Sequence, residues 1–264
     1  MRNRIQAGST DWNNTQRLGE GELTFDEEAK ALRVHNGSAL GGLELPGVRA
    51  YEPPAGPGPQ ELLYGDYQQG FYGELTESEF ISTDNLASAI GYTEGNNTDA
   101  IYLGWLKFAL DEKTLFIAKS SLRYHVSWNA IFAVDAVYDN ADTAQVTIGD
   151  YQYKVRLLTG ADTDPTDVAL SQQNPVGVLN SEWNRTLVKL VNDWGGYTSN
   201  DLGAGSSSVS RFSFCQEWPT ERLQSESRVL RGRGDGGVEW FAGSTSREQA
   251  YTTFGWRPVL ELIP

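Results

Sequence analysis

In 264 residues the sequence has one cysteine, one methionine and two histidines, and its basic residues are outnumbered by acidic ones. A single cysteine, Cys215, excludes an intrachain disulfide and suits synthesis in a reducing cytoplasm. The histidines, His35 and His125, lie far apart in the chain and both read as structural, His35 in a hairpin and His125 on an apolar strand. Neither a His-Glu-x-x-His zinc pair nor a Gly-x-Ser-x-Gly nucleophile elbow is present, so no catalytic residue, metal or cofactor is expected. Lys plus Arg is 21 against 35 for Asp plus Glu, a net charge of −14. That field repels nucleic acid and anionic membrane. No apolar run reaches the length of a membrane span, so membrane insertion is not expected either. Met1-Arg2-Asn3-Arg4-Ile5 lacks the apolar core of a secretory signal. A protein displayed outside a cell would therefore get there by assembly.

Several motifs dissolve on inspection. Cys215, between Phe214 and Gln216-Glu217-Trp218, has the setting of a small buried hydrophobe rather than of a thiolate nucleophile. Glu226 and Glu239 could be imagined as a glycosidase pair, but the sequence fixes no separation between them. The glycines at 232, 234, 236 and 237 do not join a strand to a helix, which a dinucleotide site requires. Arg233-Gly234-Asp235 reads as turn chemistry. The sequons at Asn13, Asn36, Asn96 and Asn184 read as incidental.

Glycine and aromatics are abundant, with 28 Gly, 8 Trp, 12 Tyr and 10 Phe. With no long apolar helical stripe, that composition favours strands and turns. Glu22–Asp26 and Ala31–His35 alternate as a hairpin, followed by Gly41-Gly42. Residues 49–60 carry four prolines and read as a stiff linker. Asp84–Ile90 suits a short helix capped near Ser82 or Thr83 and closed by Gly91. Strands are expected over 100–108, 114–118, 126–132, 144–148, 151–158, 211–214, 227–231, 238–242 and 259–263. Asn180–Val191 is the best helix, with Asn180 or Ser181 as cap. Residues 199–210 read as an exposed Gly/Ser loop.

Two stretches resemble known families. Ile5–Thr10, Gly21–Asp26 and Leu32–Gly42, with a strand ending in His-Asn-Gly and a double glycine, resemble the N-terminal module of the phage major tropism determinant family. That resemblance implies a trimeric β-prism. The C-terminal half resembles the C-type-lectin fold of the same family and of formylglycine-generating enzymes. It does so at Val178–Trp183, Cys215–Trp218, Arg228–Gly232 and Phe254–Leu260. Fold-defining roles follow by resemblance for Glu182, Trp183, Cys215, Trp218, Arg231, Gly232, Trp256 and Arg257. The enzymes' cysteine pair and the Glu-Pro-Asn calcium–sugar signature of lectins are both missing. Independently of the resemblance, Arg231 and Arg257 beside glycine and aromatics could stack on Trp256 or Trp240 and hold loops through backbone carbonyls.

The expected fold is α+β and mostly β. It comprises a β-prism-like module (1–48), the linker (49–60), an intermediate β-rich segment (61–117) and a C-type-lectin-like domain (118–264). The expected function is that of a non-enzymatic surface protein of a tailed phage virion, homotrimeric and bound to other virion proteins. One reading is a tail-fibre protein contacting a host receptor or glycan; the alternative is a capsid decoration, head-fibre or collar protein. Contact is expected from two loops. Trp194–Ser210 offers Tyr197, Asn200 and Asp201, and Gly234–Arg247 offers Asp235, Trp240 and Arg247. Equally open is that Trp194 and Trp240 plug the core and the Gly/Ser run is a spacer.

Overall fold

Polar–apolar alternation in the first fifty positions builds a small sheet of β1 (Gln6–Gly8), β2 (Leu23–Asp26), β3 (Ala31–Val34) and β4 (Leu43–Arg49), in that order. The expected hairpin is β2–β3, antiparallel with Leu23 opposite Val34. The computed structural model describes residues 6–16, 18, 22–27, 31–35, 38, 40–49, 56–163, 177–205, 208, 210–217, 226–232 and 242–264. They fall into two compact units, Met1–Glu52 and Pro53–Pro264. Among the described residues of the first unit the buried side chains are polar. Asp26, fully buried, accepts from Thr10 Oγ1 at 2.7 Å and from Arg33 Nη2 at 2.8 Å. Ser9 caps α1 (Thr10–Thr15) by accepting from Trp12 N–H, and buried Asn13 donates to the carbonyls of Gly8, Ser9 and Phe25. Buried His35 bonds Thr24 Oγ1 at 3.0 Å.

The second unit is laid on two sheets. Its early elements are β5 (Tyr64–Gly65), β6 (Gln69–Leu75), α2 (Thr83–Ala89), β7 (Asn96–Asn97), β8 (Trp105–Leu110), β9 (Lys113–Ala118) and β10 (Arg123–Tyr124). Then come α3 (Trp128–Phe132), β11 (Gln145–Ile148), β12 (Tyr151–Leu157) and a helix, α4, over 182–194. The last strands are β13 (Phe212–Phe214), β14 (Ser227–Gly232), β15 (Ala242–Ser246), β16 (Phe254–Trp256) and β17 (Pro258–Leu262). One sheet runs β11-β12-β17-β9-β8-β6-β5 and the other β15-β14-β13-β16-β10-β7.

The seven-stranded sheet is buried on both faces, which is why β8, β9 and β17 read as near-continuous apolar runs. Successive side chains alternate between faces. Trp105, Phe116, Tyr153, Val155 and Leu260 pack on one side with Leu86, Trp128, Ile131, Phe214 and Trp256. Leu106, Phe108, Leu115, Ile117 and Val259 pack on the other with Trp183, Leu187 and Leu190 of α4.

Five expectations change. The boundary placed at 117/118 falls inside β9, which pairs with β17 near the end of the chain, so 61–117 supplies central strands rather than a separate segment. The proline stretch is no free linker over 56–60. Gly56 is buried against Phe116 and Leu262, and Lys107 Nζ donates to Pro59 O at 2.6 Å; residues 50–55 lie outside the described residues. The strand expected over 126–132 is helix α3, because Ser127 Oγ accepts from Ala130 N–H and caps it. His125 accordingly sits not on a strand but exposed in a turn with φ +59°. The strand expected from 100 begins only at Trp105, after a 3-10 turn (Ala100–Tyr102) and Gly104 at φ +141°.

Candidate functional site

The six-stranded sheet ends at β10 and β7, and a cleft of about 110 Å³ opens there. Thr98 is fixed at its back, donating Oγ1 to Ser121 O at 2.6 Å and N–H to Leu122 O. The 3-10 turn brings in Tyr102, whose carbonyl accepts from Ser120 Oγ at 2.9 Å. Tyr124 comes from β10, and Gly203, Ser208 and Ser210 close the far side. Gly203 at φ +59° lets that loop approach closely: a Cβ there would lie 2.5 Å from Ser120 Cβ. The loop is rigid. Asp201 accepts from both N–H and Oγ1 of Thr198 at 2.7 Å, and Leu202 O accepts from Arg257. Those two bonds from Thr198 hold the Asp201 carboxyl below its usual pKa. The cleft thus presents two half-buried tyrosines beside an exposed carboxylate, Asp99, and three hydroxyls. It can stack an apolar ring face and bond hydroxyl groups.

The residues expected to make contact are not gathered in one place. Asn200 and Asp201 belong to the loop that closes the cleft. Tyr197, just before them, donates Oη to Glu74 at 3.0 Å and packs edge-on against Phe71. Burial and then the Glu74 charge raise its pKa. Arg247 follows β15, the opposite edge of the sheet from β7, and its Nε bonds Glu226 at 2.7 Å. Asp235 and Trp240 lie outside the described residues, as does Trp218. Tyr102 and Tyr124, which line the cleft, escaped sequence reasoning; an aromatic next to Thr98-Asp99 in sequence is a weak signal.

Of the residues expected to define the fold, Trp183, Cys215, Arg231 and Arg257 lie together, while Trp256 packs in the other core. Trp183 is fully buried, with the Arg231 and Arg257 guanidinium groups 5.8 Å and 5.3 Å from its ring centroid. Among the described residues the ring that both arginines face is therefore Trp183 and not Trp256, which packs against Tyr92. Arg231 also bonds Gly160 O and Asn184 Oδ1. Arg257 bonds Ser213 Oγ and the carbonyls of Ala118 and Lys119. Gly232, at φ +145°, crosses so near Arg211 O that no side chain fits. Cys215 is fully buried, and burial pushes its thiol pKa well up, so it carries no thiolate at neutral pH.

Glu182 belongs to a second cluster, whose other members, Arg156 and Glu261, escaped sequence reasoning. Arg156 forks onto Glu182 with two 2.7 Å bonds and reaches Glu261 at 2.9 Å. Its signal is a charge inside an apolar strand, between Val155 and Leu157, as Glu261 lies between Leu260 and Leu262. Glu217 is nearly fully buried, accepting from Gly160 N–H at 2.9 Å. Burial raises its pKa to about 7, partly offset by the backbone N–H bonds it accepts. Among the described residues no three His, Cys, Asp or Glu side chains are placed to hold a metal ion, and no helix is long and apolar enough to cross a membrane.

No protein-family model matches the chain, and no curated protein does. Among solved structures the chain is similar to the Major Tropism Determinant U1 Variant at 9% identity and a TM-score of 0.18, over 98% of this chain and 99% of that one. A likeness at that level establishes nothing about function.

Proposed function

We propose that this is a non-enzymatic structural protein on the surface of a tailed bacteriophage virion, a tail-fibre or receptor-binding protein that contacts a host glycan through the tyrosine cleft. The N-terminal unit would be the β-prism-like trimerisation module and the second unit the C-type-lectin-like domain, as the sequence resemblance implies. The observation that carries the binding reading is the pairing of Tyr102 and Tyr124 with Asp99 and the hydroxyls of Thr98, Ser208 and Ser210 around one cleft. An aromatic face with a few fixed polar groups is the usual make-up of a small-ligand site. Particles carrying Tyr102→Ala plus Tyr124→Ala should assemble normally and adsorb at least about tenfold less, as expected for loss of an aromatic hot spot.

One observation favours the architectural alternative, a decoration, head-fibre or collar protein. Tyr197, Asp201 and Arg247 all bond inside the protein, to Glu74, Thr198 and Glu226. That reading expects the double variant to adsorb like the wild type.

A further inference from the structure

A second concavity, of about 320 Å³, lies between α4 and the start of β6, away from the tyrosine cleft. Its volume is in the range of small-molecule sites. Its wall is a helix face carrying two adjacent rows, 184–188–192 and 185–189–193, opposed by Gln69. The polar groups there are held in fixed orientations. Arg231 can only donate, and it donates to Asn184 Oδ1, so the Asn184 amide must face the other way with its two N–H donors. Asn184 is only 7% exposed, and its Nδ2 makes no hydrogen bond among the described residues. Gln69 donates Nε2 to Arg185 O at 2.8 Å, which leaves its Oε1 as an acceptor. Asn180 donates Nδ2 to Asp162, which leaves its Oδ1.

The charges at this groove are already neutralised. Arg185 forks onto Asp111 with two 2.6 Å bonds, and Lys189 pairs with Asp193 at 2.9 Å. An anion would have to break one of these pairs, so the groove suits an uncharged ligand. At the end of the same helix Trp194 stacks on Tyr64, centroids 6.1 Å apart and planes 9° from parallel, with Lys189 Nζ 5.5 Å from the Trp194 centroid. Tyr64 is exposed and Trp194 half-buried.

We propose that this groove binds a neutral oligosaccharide. Its hydroxyls, each both donor and acceptor, would meet the donors of Asn184 and Asn192 and the acceptors of Gln69 and Asn180. The apolar face of a terminal ring would lie on the exposed ring of Tyr64, which Trp194 backs. Nothing in this depends on the virion reading or on the tyrosine cleft.

Saturation-transfer NMR on the full chain tests it. The neutral probes are maltotriose, mannotriose and triacetylchitotriose, and the acidic probe is oligogalacturonate. At least one neutral probe should receive transfer. Its affinity should fall about tenfold in Asn192→Ala and in Trp194→Ala, the loss of one good contact, and stay unchanged in Tyr151→Ala, an exposed tyrosine at the start of β12 outside both concavities. Asn192 is exposed, so its truncation spares the fold even if Trp194→Ala does not fold. Silence from every neutral probe, or transfer to oligogalacturonate alone, overturns the proposal. So does binding lost in Tyr102→Ala and kept in Asn192→Ala, which would put the sugar in the other cleft.

Discussion

Glu217 is a carboxyl that the fold keeps partly protonated at neutral pH. Its pKa of about 7, raised by burial from 4.5, lies above that of the unfolded chain, so the folded state binds the extra proton. Stability from this group is therefore complete below about pH 4.5, declines as pH rises to about 7, and is flat beyond. The full decline is at most about 3 kcal/mol. Glu217→Gln keeps an oxygen for Gly160 N–H but cannot ionise. Urea unfolding across this range should show the wild type losing stability relative to the variant, with the variant the more stable well above pH 7. A difference that does not change with pH would mean Glu217 does not titrate there. The same residue marks a limit of sequence reading. Cys215-Gln216-Glu217 shows a carboxyl beside a buried thiol, but the backbone N–H groups that accommodate it include those of Gly160, 57 positions away, and Ala161.

Among the elements, α4 was legible and its attachment was not. Ser181 caps it, accepting from Asn184 N–H, and Gly195 at φ +74° ends it. The helix is wound largely with π geometry, Lys189 N–H bonding Asn184 O, which periodicity alone does not reveal. What ties its first turn to β12 is Glu182, bonded twice to Arg156 and accepting from Thr159 N–H at 2.9 Å. Glu182→Ala leaves Arg156 buried with Glu261 as its remaining carboxylate partner, and should cost about 3 kcal/mol in unfolding free energy. A cost under about 0.5 kcal/mol, typical of an exposed ion pair, would show that the helix needs no such tether. Strand segments were readable wherever alternation or apolar runs were long. They failed at α3, where aromatic and β-branched residues suggested strand while the Ser127 cap decided for helix. The candidate site was least legible. Its tyrosines come from a 3-10 turn and a two-residue strand, elements too short to leave a periodic trace.

At the scale of the molecule, the two units differ in what supports them. The Pro53–Pro264 unit buries a sheet on both faces under two apolar clusters, the arrangement of a domain that folds by itself. In Met1–Glu52 the described residues form a four-stranded sheet, and their fully buried groups Asn13, Thr24 and Asp26 are hydrogen-bonded polar side chains. A chain this short rarely sustains a fold without a partner, a metal or a disulfide. Its sequence has no cysteine and resembles a trimeric module, so copies of itself are the expected partner. Light scattering should give the full chain a mass of three protomers at micromolar concentration, and the chain cut before Pro53 the mass of one. The shortened chain should keep a cooperative thermal transition near that of the full chain's second unit. A full-length monomer would remove the trimer from the proposal. A shortened chain that still forms trimers would move the contact into the second unit, where the exposed Leu63 and Tyr67 are the first residues to test.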